Sequence, residues 1–271
     1  MNLFQQKKSY QFLQLTGFLC IIFLLLTSGF RFPERQKYKI KTIVIDAGHG
    51  GKDPGTHGKI AKEKNLALKV ALETGRLIKA NVPNVKVIYT RTTDVFVNLD
   101  ERAAIANRNK ADLFISIHCN ANPISDAIYG TETYTMGLHK SEENLDVANR
   151  ENAVITQEKD YKTKYEGFEP DSPMAYIVFS NFQSTFLENS LQFAQLVENQ
   201  FKNKAGRKSR GVKQAGFVVL WKTTMPSVLV EIGYLSNATE EKYLVTSQGQ
   251  SYMASAIYRA FKEYKQAVEK D

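Results

Sequence analysis

One pattern, used three times, most constrains what this chain can fold into: an apolar run that stops at a side chain able to bind a metal. Thr42-Ile43-Val44-Ile45-Asp46 runs into the glycine-rich loop Ala47-Gly48-His49-Gly50-Gly51-Lys52-Asp53-Pro54-Gly55. Leu113-Phe114-Ile115-Ser116-Ile117 stops at His118, and Val228-Leu229-Val230 stops at Glu231. Short apolar runs bounded by turn residues read as buried strands. Strand ends on one edge of an open α/β sheet share a crevice, so these runs would bring two imidazoles and a carboxylate together.

The intervening segments read mostly as helices. A helix starting near Lys62 puts Leu66, Val70 and Leu77 roughly on one face. Val85–Thr90 reads as a strand, Leu99–Arg108 as a helix and Thr131–Met136 as a strand. Ser141–Ile155 predicts a helix, with Ser141 as N-cap and acids in its first turn. Tyr161 to Pro173 reads as a loop and Asn181–Lys204 as a long helix. Phe217–Leu220 and Ser227–Ile232 read as strands, and Tyr252–Val268 as a closing helix. This alternation predicts an α/β fold, a three-layer α/β/α arrangement around a twisted, mostly parallel sheet of about six strands.

Composition narrows the partners. With 43% apolar residues in 271, a sizeable core is available. The net charge of +8 suits work near an anionic polymer such as cell wall. No dense basic run interleaved with aromatics is present, so no nucleic-acid partner is expected. The nearest approach is Lys202, Lys204, Arg207, Lys208 and Arg210, which reads as a solvated helix end. Lys7 and Lys8, the apolar stretch from Phe12 to Leu26 and the small residues Thr27-Ser28-Gly29 read as an export signal over residues 1–29. The alternative is an uncleaved anchor, and membrane attachment is expected only through that segment. Residues 30–40 then form a linker and 41–271 a catalytic domain. Its one cysteine, Cys119, can make no internal disulfide.

The candidate chemistry rests on His49, Glu63, His118 and Glu231. Three protein ligands with one open position define a hydrolytic zinc site, and two imidazoles with one carboxylate form a common set. Zinc tolerates mixed nitrogen and oxygen ligands and brings no redox chemistry. His57 lies in the same glycine loop and is an alternative to His49; His139 reads as exposed. Each residue also has a plainer reading. A histidine closing a strand can be structural, and Glu63 can be a surface acid at a helix start. Glu231, directly after a buried apolar run, needs a partner or a role. The glycine loop matches neither the dinucleotide fingerprint nor the P-loop.

Taken in order, these blocks resemble the zinc-dependent N-acetylmuramoyl-L-alanine amidases of bacterial cell-wall remodelling. The resemblance runs from about Lys41 to Tyr264. It is carried by Ile45 to Gly55, Glu63-Lys64, Thr90-Arg91 with Asp94, Leu99 and Arg102, Ala106-Asn107, Ala111-Asp112, Ser116 to Ala121 and Met225 to Asn237. Cys119 stands where the family usually has a small residue. The resemblance implies that His49, Glu63 and His118 bind one Zn2+ and that Glu231 is the acid/base. It also implies a peptidoglycan substrate, cut between the lactyl group of N-acetylmuramic acid and L-alanine. Arg91 and Arg102, which could recognise substrate carboxylates, and Asn120 are candidate substrate contacts. For Arg91 and Arg102 the alternative is a structural role, pairing with Asp94 or Asp100.

Between Met136 and Asn181 the chain is longer than a simple connection needs, and such stretches tend to be functional. In Gram-negative members of the family, a helix here covers the zinc cleft until an activator protein withdraws it. By that likeness, residues 137–180 are an insertion carrying an autoinhibitory helix over 141–155, with Glu151, Glu142 or Glu143 occupying the fourth zinc position. An activator protein is then an expected partner, and the periplasm the expected location. The competing functions are a zinc peptidase or deacylase acting on another wall amide, and a wall-binding module without catalysis.

Overall fold

The computed structural model describes Thr16 and residues 38–139, 141–169 and 186–270. Apart from Thr16, the expected signal lies outside the described residues. So do most of the linker, the end of the 137–180 insertion and the first turn of the helix expected from Asn181. Among the described residues no helix is long and apolar enough to cross a membrane.

From Lys39 onward the chain forms one unit around a six-stranded sheet. Its strands are β1 (Thr42–Ala47), β2 (Lys86–Tyr89), β3 (Leu113–Asn120), β4 (Thr131–Met136), β5 (Ser209–Ala215) and β6 (Ser227–Tyr234). Their spatial order is β2-β1-β3-β6-β4-β5. β4 runs antiparallel to β6, and the other neighbours are parallel. The helices are α1 (Glu63–Asn81), α2 (Leu99–Arg108), α3 (Glu142–Asn152), α4 (Tyr161–Lys164), α5 (Leu187–Lys204), α6 (Val218–Trp221), α7 (Ala238–Leu244) and α8 (Ser247–Val268).

The central strands β3 and β6 are buried at every residue, which is why their sequences are nearly continuous apolar runs. Alternate residues feed two cores. Ile43, Ile45, Ile115, Ile117, Val228 and Val230 pack with Leu66 and Val70 of α1, Phe193 and Val197 of α5, and Ile257 and Phe261 of α8. On the other face, Val44, Phe114 and Leu229 pack with Ala106 of α2, Val147 and Ala148 of α3, and Val219 of α6. The three-layer expectation holds.

The differences lie where apolar pattern is weak or too short. Phe217–Leu220 is not a strand: Val218–Trp221 forms one helical turn that buries Val218, Val219 and Leu220. The missing strand is β5, in the basic stretch expected to be a solvated helix end. Ser-Arg-Gly-Val-Lys-Gln-Ala carries little apolar signal because β5 is an edge strand, half-buried along most of its length. The expected loop from Tyr161 contains the short α4, and the helix expected over 141–155 ends at Asn152 before a 3₁₀ turn, Ala153–Gln157. Ser141 does cap α3, accepting the Asn144 backbone N–H.

A buried ion pair braces the wall behind the glycine loop. Arg102 Nη1 donates to Asp46 Oδ1 at 2.7 Å and to the Ala47 carbonyl at 2.7 Å, while Nη2 donates to the His49 carbonyl at 2.7 Å. Asp46 also accepts from Thr90 Oγ1 at 2.5 Å and Ser116 Oγ at 2.6 Å. Burial works to raise the Asp46 carboxyl, but Arg102 and the two hydroxyls outweigh it and hold it below the usual carboxylate range.

Candidate metal centre

His49 is delivered by the turn after β1 in a left-handed conformation, φ 59°, that a non-glycine residue seldom adopts. Such strain persists only where neighbours enforce it, and here Arg102 and Arg91 grip the loop's carbonyls. Arg91 donates to Ala47 O at 2.9 Å, Gly48 O at 2.6 Å, Thr93 O at 3.1 Å and Lys64 O at 2.8 Å. Its guanidinium is thereby spent on backbone. This corrects its candidacy as a substrate contact, and the ion pair with Asp94 or Asp100 is not what holds it either. The adjoining glycine is required by space: a Cβ on Gly48 would fall 2.4 Å from the His118 ring.

His118 closes the same-face series Phe114, Ser116, His118 on β3. Its ring centroid lies 4.8 Å from that of His49. Glu63, the first residue of α1, returns over the strand ends and is fully buried. Glu63 Oε1 is 3.0 Å from His49 Nε2 and 3.1 Å from His118 Nδ1. From the far side α3 inserts Glu151, whose Oε2 lies 3.1 Å from His49 Nε2 and 2.8 Å from His118 Nδ1. His49, Glu63, His118 and Glu151 thus each offer one atom, all within 4.8 Å of one another, and the group could bind a metal ion. Glu143 instead bonds Arg210 at 2.8 Å and Glu142 is exposed, so of the three acids proposed on α3 only Glu151 reaches the centre. His57 is exposed, away from the cluster, while His139, expected to be exposed, is half-buried.

Each imidazole is oriented from behind. His49 Nδ1 donates to Asp53 Oδ2 at 2.8 Å, turning Nε2 to the centre. The Ser116 hydroxyl donates to Asp46 and so accepts from His118 Nε2 at 3.1 Å, turning Nδ1 inward. Glu63 is fixed by the Thr56 N–H on Oε2 and the Cys119 N–H on Oε1, both at 2.8 Å. These supports were missed in sequence. Asp53, four residues after His49, and Ser116, two before His118 on the same strand face, carried the available signal.

The electrostatics call for a cation. Burial lowers the imidazoles, but Glu63 and Glu151 beside His49 push it well above the usual histidine range, and Glu151 with Glu63 brings His118 to about 10. Burial raises Glu151, yet the two histidines hold it well below the carboxylate range. Among the described residues His49 Nε2 and Glu151 Oε2 are buried and face each other across the shared space at 3.1 Å, neither making a well-directed hydrogen bond. Nitrogen and oxygen donors at this spacing fit a divalent ion of zinc's preferences.

Glu231 lies beside His118 in the β3–β6 ladder. It is fully buried, and neither carboxylate oxygen has a hydrogen-bond partner. Burial first, then Glu151 and Glu63, raise its pKa well above the usual carboxylate range. Asn120 completes the row: its Oδ1 accepts from Arg150 of α3 at 2.6 Å and its Nδ2 donates to Glu132 of β4 at 3.3 Å.

A covered α/β sheet whose strand ends bring together two imidazoles and two carboxylates is a scaffold able to hold a metal ion. The chain belongs to the N-acetylmuramoyl-L-alanine amidase family, whose model matches residues 43–263. It is 31% identical over 227 residues to the amidase AmiC of Escherichia coli O6:H1, a match covering 82% of this chain and 52% of AmiC. It thus spans about half the length of that relative. To AmiA of Escherichia coli K12 it is 30% identical over 239 residues, covering 86% of this chain and 80% of AmiA. The solved CwlD amidase of Clostridioides difficile, in complex with the GerS lipoprotein, superposes with a TM-score of 0.61. That structure is 25% identical over 84% of this chain and 99% of CwlD.

Proposed function

We propose that this protein is a zinc-dependent N-acetylmuramoyl-L-alanine amidase, hydrolysing the amide between N-acetylmuramic acid and L-alanine in peptidoglycan. The observation carrying this reading is the juxtaposition of the His49, Glu63 and His118 donors with the unpartnered, buried carboxylate of Glu231. His49 Nε2, His118 Nδ1 and Glu63 would hold the ion. When bound, zinc supplies Lewis acidity, acidifying water and polarising a carbonyl. Glu231 takes the proton of the attacking water and passes it to the alanine nitrogen as the C–N bond breaks. The products are the lactyl carboxylate and a free α-amine on the stem peptide. Metal analysis with digestion of purified sacculi tests the reading: stem peptides with free L-alanine amino termini support it, and release of any other fragment refutes it. Export to the periplasm, by the amino-terminal segment, belongs to the same proposal.

Asp53 has no contact with substrate in this scheme; it acts through His49. Asp53→Ala is expected to weaken zinc binding by roughly 10–100-fold, the usual effect of removing a histidine's outer partner. Competition against a chelating dye reads this directly, and an unchanged affinity would remove Asp53 from the scheme.

The α3 helix is further proposed to be autoinhibitory, because Glu151 fills the space between the two imidazoles. An activator protein would withdraw it; a protein partner is known for the similar CwlD, which was solved in complex with the GerS lipoprotein. Docking is polar as well as apolar: Asn152 Nδ2 donates to Gly216 O at 2.7 Å and its Oδ1 accepts from the Val218 N–H at 2.9 Å. Glu151→Ala is expected to raise dye release from labelled sacculi by roughly 10-fold or more, the scale of one charge-assisted contact removed from the closed state. Activity equal to that of the parent, at equal zinc content, would rule the latch out.

A further inference from the structure

A second charged cluster lies one strand beyond Glu231. In the β4–β6 ladder Glu132 is the partner of Glu231, so both project from the same sheet face. Glu132 is fully buried and accepts from the Tyr134 hydroxyl at 2.6 Å and the Tyr234 hydroxyl at 2.5 Å. Two cations of β5 reach it: Arg210 Nε at 2.6 Å and Lys213 Nζ at 2.9 Å, both to Oε1. Arg210 turns its other nitrogen outward, where Nη2 donates to Glu143 of α3 at 2.8 Å.

With α3 docked, the carboxylates of Glu132 and Glu143 balance Arg210 and Lys213. Glu143 is the member of this group that belongs to α3. Once α3 leaves, a half-buried positive charge is left unbalanced beside the reacting row His118, Glu231, Glu132. Such a charge recruits an anion. The chemistry of the scissile linkage says which side that anion comes from. The carboxyl of the lactyl group is consumed in the amide, so the glycan side offers none, and a free carboxylate must belong to the peptide.

We propose that Arg210, backed by Lys213, is the docking point for a free carboxylate of the substrate's stem peptide, and that Glu143 occupies this point in the closed chain. The inference rests on the amidase reading above and deepens it. Arg210 sets substrate preference and takes no part in bond breaking.

The test uses the full chain carrying Glu151→Ala and two synthetic muramyl tripeptides, one with free carboxylates and one with the same groups as carboxamides. Arg210→Gln is expected to raise KM for the free acid by roughly 10–100-fold, the range for a hydrogen bond to a charged group. kcat, zinc content and cleavage of the carboxamide stay as in the parent. Arg210→Lys restores part of the loss. An equal change on both substrates, or none, overturns the proposal. If Arg210→Gln does not fold, the parent alone decides: a kcat/KM for the free acid about tenfold above the carboxamide supports the docking point, and equal values overturn it. Cleavage of neither peptide by the parent would instead sink the amidase reading itself.

Discussion

Replacing Glu231 by glutamine is expected to lower peptide release from sacculi by ~10²–10⁴-fold, the usual worth of a positioned general base, while zinc content is unchanged. The substitution keeps shape and removes only the capacity to take and return a proton. Its structural cost should be absent. The carboxylate is fully buried, near Glu63 and Glu151, and makes no hydrogen bond, so nothing in the folded protein depends on its charge. Melting temperature should therefore hold or rise as activity falls, the pattern of a residue kept for function at the expense of stability. Elemental analysis, thermal melting and sacculus digestion on the same sample decide the matter. Near-normal turnover, or loss of zinc in step with loss of activity, would remove Glu231 from the role of acid/base.

Arg102→Ala should have the largest effect on stability. The guanidinium is fully buried and serves Asp46 and the carbonyls of Ala47, His49 and Val97. Its removal leaves a buried carboxylate without its counter-ion, a change that typically costs ~3–5 kcal/mol. Total stabilities are about 5–15 kcal/mol, so a substantial part of the margin would go. Zinc affinity should fall as well, because Arg102 holds the His49 carbonyl and, through Asp46 and Ser116, orients His118. Arg102→Lys restores charge without the fork and should recover only part. Because the folded-state pKa of Asp46 is depressed, the pair's stabilisation is present at neutral pH and is lost as pH falls through that lowered value. Denaturant melts of both variants test this, and a loss below about 1 kcal/mol, the size of a surface pair, would contradict the argument.

The central strands and both histidines were readable in sequence because β3 and β6 are buried on two faces and end in polar side chains at the sheet edge. The β5 strand was not: Ser209–Ala215 is an edge, and its Arg210 and Lys213 serve Glu132 rather than a core. α6 was mistaken for a strand because four consecutive apolar residues have no period that distinguishes the two. At the site, residue type and strand position pointed to His49, His118 and Glu231. The outer partners Asp53, Ser116 and Asp46 needed the coordinates, since only folding brings Ser116 to both Asp46 and His118. Which acid of α3 meets the imidazoles was likewise undetermined by composition. Glu142, Glu143 and Glu151 are chemically alike, and it is the helical phase from Ser141 that turns Glu151 inward.

The reversed strands β4 and β5 have a further consequence. After a parallel strand, the following helix starts at the catalytic edge and would aim its positive pole at the ion. The helix α3 follows β4, which runs the other way, and its last turn, carrying Glu151, lies at that edge. The macrodipole then turns its negative pole, about half an elementary charge, toward the place where a cation is wanted. A cover of this sort grafted behind any of the parallel strands would arrive with the wrong polarity, so the inverted strands restrict where in this sheet such a helix can work.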